Sequence, residues 1–256
     1  MNKLPQITLA FWIMKICATT LGETAGDLLS MTLNVGYAVS TLILFALFAV
    51  TLAFQLRSKK YHPFLYWLVI LSTSTAGTTM SDFMDRTLKL GYATGSLILI
   101  STLVAILSYW KLTEKSISVV NIRTLKVESL YWAAILASNT LGTAFGDFLA
   151  DSSGLGFAGG AILVSSLIAL VALAAKFTRV SQVALFWAAF VLTRPLGATI
   201  GDLLTKTHEK GGLGFGTIGS SAVLAVVLIG VVFYNMRKLN KDEMEAPAPI
   251  EPVALN

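Results

Sequence analysis

Apolar residues run along this chain in eight stretches, each about as long as the roughly 20 residues a helix needs to cross a bilayer's hydrocarbon core. They cover approximately residues 7–27, 36–56, 64–84, 91–110, 129–149, 156–176, 183–204 and 214–236. Every odd-numbered run carries the same interruption: a tryptophan, a glycine ten positions on, and an aspartate five beyond that. The sets are Trp12/Gly22/Asp27, Trp67/Gly77/Asp82, Trp132/Gly142/Asp147 and Trp187/Gly197/Asp202. Every even run opens on a glycine followed by an aromatic: Gly36-Tyr37, Gly91-Tyr92, Gly156-Phe157 and Gly214-Phe215.

The pattern predicts a two-helix unit repeated four times, at about 9–60, 64–115, 129–180 and 184–238. A two-span unit returns the chain to its starting side, so the copies are parallel rather than inverted. The predicted fold is an all-α polytopic membrane protein with eight transmembrane helices, internal pseudosymmetry and a single transmembrane domain over 1–239. Tryptophan offsets of 55, 65 and 55 residues leave ten extra positions between copies two and three. They predict a linker over 111–128 joining two halves. The Pro-, Ala- and Glu-rich segment 240–256 is expected to be a disordered tail.

Composition narrows this further. Of 256 residues, 55% are hydrophobic and 13% charged, and the mean hydropathy is +0.74. A soluble domain carries about 25% charged residues. Cys17, the one cysteine, lies inside a span, so no disulfide framework forms. Lys15 interrupts the first apolar run, which matches three later ones, so it reads as a helix of the mature protein rather than a signal peptide. The net charge of +5 is no nucleic-acid signature. Its bases sit at the termini and between repeats: Lys3, Arg57/Lys59/Lys60, Lys111/Lys115/Arg123/Lys126, Lys176/Arg179 and Arg237/Lys238/Lys241. The opposite turns hold only Arg86, Lys89, Lys206 and Lys210. The positive-inside rule puts both termini and the linker in the cytoplasm.

On the four tryptophan copies and their GxxxGD-like motif, the chain resembles a bacterial inner-membrane family catalogued as a repeat of unknown function, over residues 9–236. The resemblance implies the fold and a multi-pass location in the bacterial inner membrane. It brings no activity, so the site must carry the function.

Taking each tryptophan as position zero and turning 100° per residue, the aspartate at +15 falls near +8 and +11. Position +8 reads Thr20, Thr75, Thr140, Pro195; position +11 reads Glu23, Thr78, Thr143, Ala198. Position +4, Ile16, Leu71, Leu136 and Val191, reads as an apolar floor below this stripe. The tryptophans read as interface anchors or core fillers. A neighbouring small stripe, Gly22/Gly26, Gly77/Ser81, Gly142/Gly146 and Gly197/Gly201, lets helices approach closely. Position +7 is polar in every copy: Thr19, Ser74, Asn139 and Arg194. The odd helices are therefore expected to surround a pseudosymmetry axis, with the aspartates around a shared cavity.

Inside the spans, Glu23, Asp27, Asp82, Asp147 and Asp202 face only Lys15 and Arg194, which leaves three unmatched negative charges. Intramembrane carboxylates point by default to function. The five acids are the candidate cation, proton or metal ligands. Thr20, Thr75, Thr78, Asn139, Thr140 and Thr143 support them, and Lys15 and Arg194 are counter-ions. Oxygen ligands suit protons and hard cations. His62 and His208 fall in loops.

The expected function is a secondary transporter of a small cation, with a divalent metal exported in exchange for protons as one form. Its partners are the lipid bilayer and the ion; no resident cofactor and no nucleic acid are expected. A passive cation channel and a non-transporting sensor or assembly protein are the alternatives. No enzyme is expected: the GxGD signature of intramembrane aspartyl proteases is broken by Thr24 and Ala144, and no HExxH, GxSxG or P-loop pattern occurs.

Overall fold

The computed structural model describes residues 3–120, 122 and 124–245, with side chains as far as 238. Arg123, the side chain of Lys241 and the predicted tail beyond 245 lie outside the described residues. Eight long helices follow one another: α1 Leu9–Asp27, α2 Tyr37–Arg57, α3 Pro63–Asp82, α4 Tyr92–Glu114, α5 Leu125–Asp147, α6 Gly156–Phe177, α7 Gln182–Thr205 and α8 Thr217–Glu245. Helix α8 thus continues past Asn240, into the stretch expected to be disordered.

Among the described residues five helices, α2, α4, α6, α7 and α8, are long and apolar enough to cross a membrane. The other three, α1, α3 and α5, carry the densest polar stripes, and that lowers their hydropathy.

Each of α1, α3 and α5 ends at its aspartate and continues as one wide π turn: Leu28–Thr32, Phe83–Thr87 and Phe148–Ser152. Such turns insert a residue into the helical ladder and frequently mark functional sites. The fourth copy lacks one; its inserted residues form a 3₁₀ turn, His208–Lys210. The glycines that open the even segments all have positive φ, +81° at Gly36, +73° at Gly91, +66° at Gly156 and +70° at Gly214. That backbone reversal explains why glycine recurs there.

The odd helices form a closed, parallel ring in which α1 packs on α3, α3 on α5, α5 on α7 and α7 on α1. The even helices form an outer shell: α2 leans on α3, α4 on α5, α6 on α7, and α8 closes on α1. The small stripe of each odd helix receives the polar stripe of the next. A Cβ added at Gly22 would meet Ser74, at Gly77 Asn139 and Thr140, at Gly142 Arg194, and at Gly197 Thr19. One turn on, Gly26 meets Thr78, Gly146 meets Ala198 and Gly201 meets Glu23.

The aromatics repeat the cycle at the other end. Phe11 packs on Trp67, Tyr66 on Trp132, Tyr131 on Trp187, and Phe186 on Trp12, with ring centroids 5.6–6.4 Å apart. Tyr66 and Tyr131 join hydroxyls at 2.7 Å. Trp67, Trp132 and Trp187 are buried, so these tryptophans fill the core rather than anchor an interface. The linker crosses this end, where the Ile117 carbonyl accepts from Trp187 Nε1 at 3.0 Å and Val119 and Ile122 are buried.

The predicted apolar floor is one residue out. Ile16, Leu71, Leu136 and Val191 are only half-buried. Position +3 closes the axis instead: Lys15, Ile70, Ile135 and Phe190 are each 0% exposed.

The glycine stripe yields a direct test. At Gly77 an added Cβ would lie 2.9 Å from Thr140 N and 3.0 Å from Asn139 C, backbone atoms that cannot yield without moving α5. Gly77→Ala should therefore destabilise by about 1–3 kcal/mol. Gly219→Ala, with nothing within 4 Å, should be neutral or stabilising by up to about 1 kcal/mol. Melting temperatures in one detergent compare the two; equal effects would refute tight packing at Gly77.

Candidate functional site

The axis of the inner ring is built from positions +3, +7 and +11. With 100° per residue these fall within about 80° of arc. The aspartate at +15 and the threonine at +8 lie about 60–80° round from the tryptophan, toward a neighbouring helix. The residues therefore sort into a central cluster and two flanking bridges.

The central cluster joins all four repeats. Arg194 Nη2 donates to Glu23 Oε2 at 2.8 Å, to Thr78 Oγ1 at 2.5 Å and to Thr143 Oγ1 at 2.6 Å. Thr78 and Thr143 also lie 3.3 and 3.1 Å from the same Glu23 oxygen. Arg194 is 0% exposed and Glu23 2%. The arginine stem reaches the axis by crossing Gly142, where a Cβ would collide with its Cβ and Cγ. Pro195 does not break α7, which stays helical on both sides of it.

Nearer the aromatic end, Lys15 Nζ donates to Asn139 Oδ1 at 3.3 Å and stands 4.1 Å above the Phe190 ring. Asn139 Nδ2 donates to Thr73 Oγ1 at 2.9 Å. Lys15 and Asn139 are thus brought together, but no carboxylate forms an ion pair with Lys15 among the described residues.

The four aspartates form two pairs, each clasped by one base. Arg86 bridges Asp82 at 2.8 Å and Asp147 at 3.1 Å. Lys206 bridges Asp27 at 2.6 Å and Asp202 at 3.0 Å. Tyr37 and Tyr92 flank the Arg86 guanidinium, their ring centroids 5.9 and 5.7 Å away. Burial alone would lower the pKa of the Lys206 ammonium; Asp202 and Asp27 more than reverse this and hold it above its usual value. The pseudo-fourfold ring therefore carries a twofold electrostatic pattern, with bases supplied by copies two and four.

Carboxylates from separate copies also meet directly: one oxygen each from Glu23, Asp147 and Asp202 lie within 4.8 Å of one another. At the aspartate end a cavity of about 470 Å³ reaches inward to Asp27 and Lys206 between copies one and four. Phe215 and Lys210 stand at its wall.

Three of the predicted supporting threonines are not in the cluster. Thr20, Thr75 and Thr140 donate to carbonyls of their own helices, at Ile16, Ser72 and Leu136. Position +8 is turned away from the axis, so its hydroxyls satisfy the backbone. The residues that sequence reasoning missed are Arg86 and Lys206, read as solvent-facing loop charges. Their signal is a base four residues after the aspartate, in copies two and four alone. With both counted, the inward set holds five acids and four bases, and its formal charge, with every group ionised, is minus one rather than minus three.

Four successive segments, 10–61, 65–116, 130–181 and 185–238, match a protein family described as Repeat of Unknown Function (DUF347). No curated protein matches the chain. No solved structure matches it either.

Proposed function

The chain belongs to the Repeat of Unknown Function (DUF347) family, which carries no activity with it, and from the site itself we propose that this is an eight-span carrier of a small cation, driven by an ion or proton gradient. In this reading α1, α3 and α5 also span the bilayer, with their polar stripes turned inward and the outer helices facing lipid. The base-rich tryptophan end is cytoplasmic and the aspartate end faces outward, in the inner membrane of a bacterium.

One observation carries the proposal: Lys206 Nζ sits between two carboxylates at the inner end of an open cavity. An ammonium so placed marks where a cation would bind. When the lysine swings into the cavity, Asp27 and Asp202 are left for the ion, and Glu23 and Asp147 stand beside them. A monovalent ion replaces the ammonium without changing the charge; a divalent ion neutralises both carboxylates. The Glu23–Arg194 pair and the aromatic layer seal the path on the far side, as alternating access requires. A passive channel fits less well. The odd helices approach so closely at their glycines that the axis is filled by side chains, and an arginine lies across it.

The test is flux into proteoliposomes across a panel of monovalent and divalent cations, with a pH dye inside. Wild-type protein should move at least one cation with a coupled proton signal. Asp27→Asn and Asp147→Asn should slow it at least about tenfold, as expected for loss of an intramembrane ligand. Undiminished flux in both variants, or none for any cation in wild type, would sink the proposal.

A further inference from the structure

The outer shell seals the tryptophan end of the ring at three junctions and leaves the fourth open. One residue before and two after the tryptophan, Phe11 and Met14, Tyr66 and Val69, and Tyr131 and Ala134 are buried. Phe186 and Ala189, at the same positions of α7, are only half-buried. Trp12 of the adjoining α1 is half-buried too, whereas Trp67, Trp132 and Trp187 are buried. Between them lies a cleft of about 410 Å³. It is walled by α6 within residues 168–175, by α7 within 182–189, by Trp12, and by Val119 and Val120 of the linker.

The sequence supplies the cause. At the same distance from the opening glycine, α2 carries Gln55, α4 Trp110 and α6 Ala175. Gln55 and Trp110 are buried, and each reaches past the helix it leans on to the next odd helix. Gln55 donates to Glu128 of α5, and Trp110 stands edge-on to Trp187 of α7 with ring centroids 5.8 Å apart. Ala175 reaches nothing comparable on α1, and Ala172 stands where α2 and α4 carry Leu52 and Leu107. Higher up, α6 packs tightly on α7, where a Cβ at Gly160 would lie 3.1 Å from Thr199. Two small side chains therefore open the lower junction and uncover Trp12.

The cleft lies between two helices apolar enough to cross a membrane, and its lining is mostly apolar. Water finds few partners in such a site. Its volume falls within the roughly 300–1,000 Å³ of small-molecule pockets. The wall-forming segments 3–12, 115–120 and 168–189 contain no acid. They carry Lys115, Lys176 and Arg179, besides Lys3, which is paired with Glu128. Lys176 and Arg179 are exposed, next to Ala175 and three residues before Gln182. Basic residues at the edge of a bilayer attract anionic headgroups. We infer that the cleft holds one acyl chain of an anionic phospholipid, with its phosphate at Lys176 and Arg179. The chain takes the place that the Trp110 side chain fills in copy two, and it covers Trp12. It ties α6, α7, the linker and α1 together at the one open junction. The site shares no residue with the carboxylate bridges.

Thermal unfolding of the full-length protein in a neutral detergent tests this, with phosphatidylglycerol or phosphatidylcholine added in steps. Phosphatidylglycerol should raise the melting temperature saturably, by roughly 4 °C at ten times its half-saturating concentration. Phosphatidylcholine should need at least about tenfold more for the same shift, as expected when two bases meet an anionic headgroup. Lys176→Gln/Arg179→Gln should erase that preference. Ala175→Trp, which copies Trp110, should fill the cleft and abolish the saturable shift. Equal responses to the two lipids, or none to either, would overturn the inference. So would a shift that survives unchanged in Ala175→Trp, which would place the lipid elsewhere on the surface. If Ala175→Trp does not fold, wild-type crystals grown with phosphatidylglycerol brominated in its acyl chains decide. An anomalous peak between α6 and Trp12 supports the site, and none there overturns it. Failure of cation flux alone would leave every one of these readouts unchanged.

Discussion

Glu23→Leu should lower the stability of the folded protein by about 3–5 kcal/mol, the cost of removing one partner from a fully buried ion pair. The loss is expected at the upper end, because Arg194 is 0% exposed and would keep only Thr78 and Thr143 as acceptors. A guanidinium cannot shed its proton to relieve the burial. Arg194→Met should cost less: Glu23 would retain both threonine hydroxyls as donors. The double variant Glu23→Leu/Arg194→Met should recover most of the loss, since apolar groups of similar volume replace a buried pair at little cost. A double-mutant cycle of melting temperatures in one detergent reads the coupling. Additive losses would mean that the 2.8 Å contact does not hold the two residues together.

Much of the fold was legible because the duplication is so regular. Tryptophan, glycine and aspartate keep their spacing in all four copies, so helix number, direction and repeat boundaries could be read from any one of them. The small stripe was legible as well. Gly22, Gly77, Gly142 and Gly197 do sit at helix–helix contacts, each against the +7 side chain of the next odd helix. What the spacing does not contain is the neighbour relation. That α8 leans on α1, and so closes the outer shell, follows from three-dimensional closure of the ring.

The site was legible in its residues and misread in its rotation. The aspartate is the most conspicuous polar residue of each odd helix, and taking it as the centre of the polar face turns the wheel by about 60°. The +7 ring was visible as polar in every copy, and it is this ring, with +11, that lines the axis. The rotation explains two outcomes at once. Thr20, Thr75 and Thr140 bond their own backbones, while the aspartates meet sideways between neighbouring helices. Arg86 and Lys206 were missed because an aspartate taken as the end of its helix leaves the next residues to solvent. In copy two the backbone instead continues into a π turn, and in both copies the base four residues on folds back over its aspartate.

Lys206→Met should be the substitution that most changes ion handling, because it removes the cation already seated between Asp27 and Asp202. Its stability cost is smaller than that at Glu23, about 2 kcal/mol, since the lysine side chain is 18% exposed and water in the cavity can reach the carboxylates it leaves. Its pH signature follows from the raised pKa of Lys206. A raised folded value gives a contribution fully present below the unfolded pKa of about 10.4 and lost only as pH rises through the higher folded value. The difference in melting temperature between wild type and Lys206→Met should therefore be flat from pH 6 to 9. A gap that closes between pH 7 and 9 would show that the two carboxylates do not hold the ammonium. For flux, the variant lacks the competitor that empties the site. The half-saturating cation concentration should fall at least about tenfold and maximal turnover should fall with it, as expected when the bound state is stabilised without a matching gain for release. Lys206→Arg should keep both the bridge and the release step. Lower turnover in Lys206→Met with an unchanged half-saturating concentration would mean that the lysine holds helices α1 and α7 together and does not stand in for the ion.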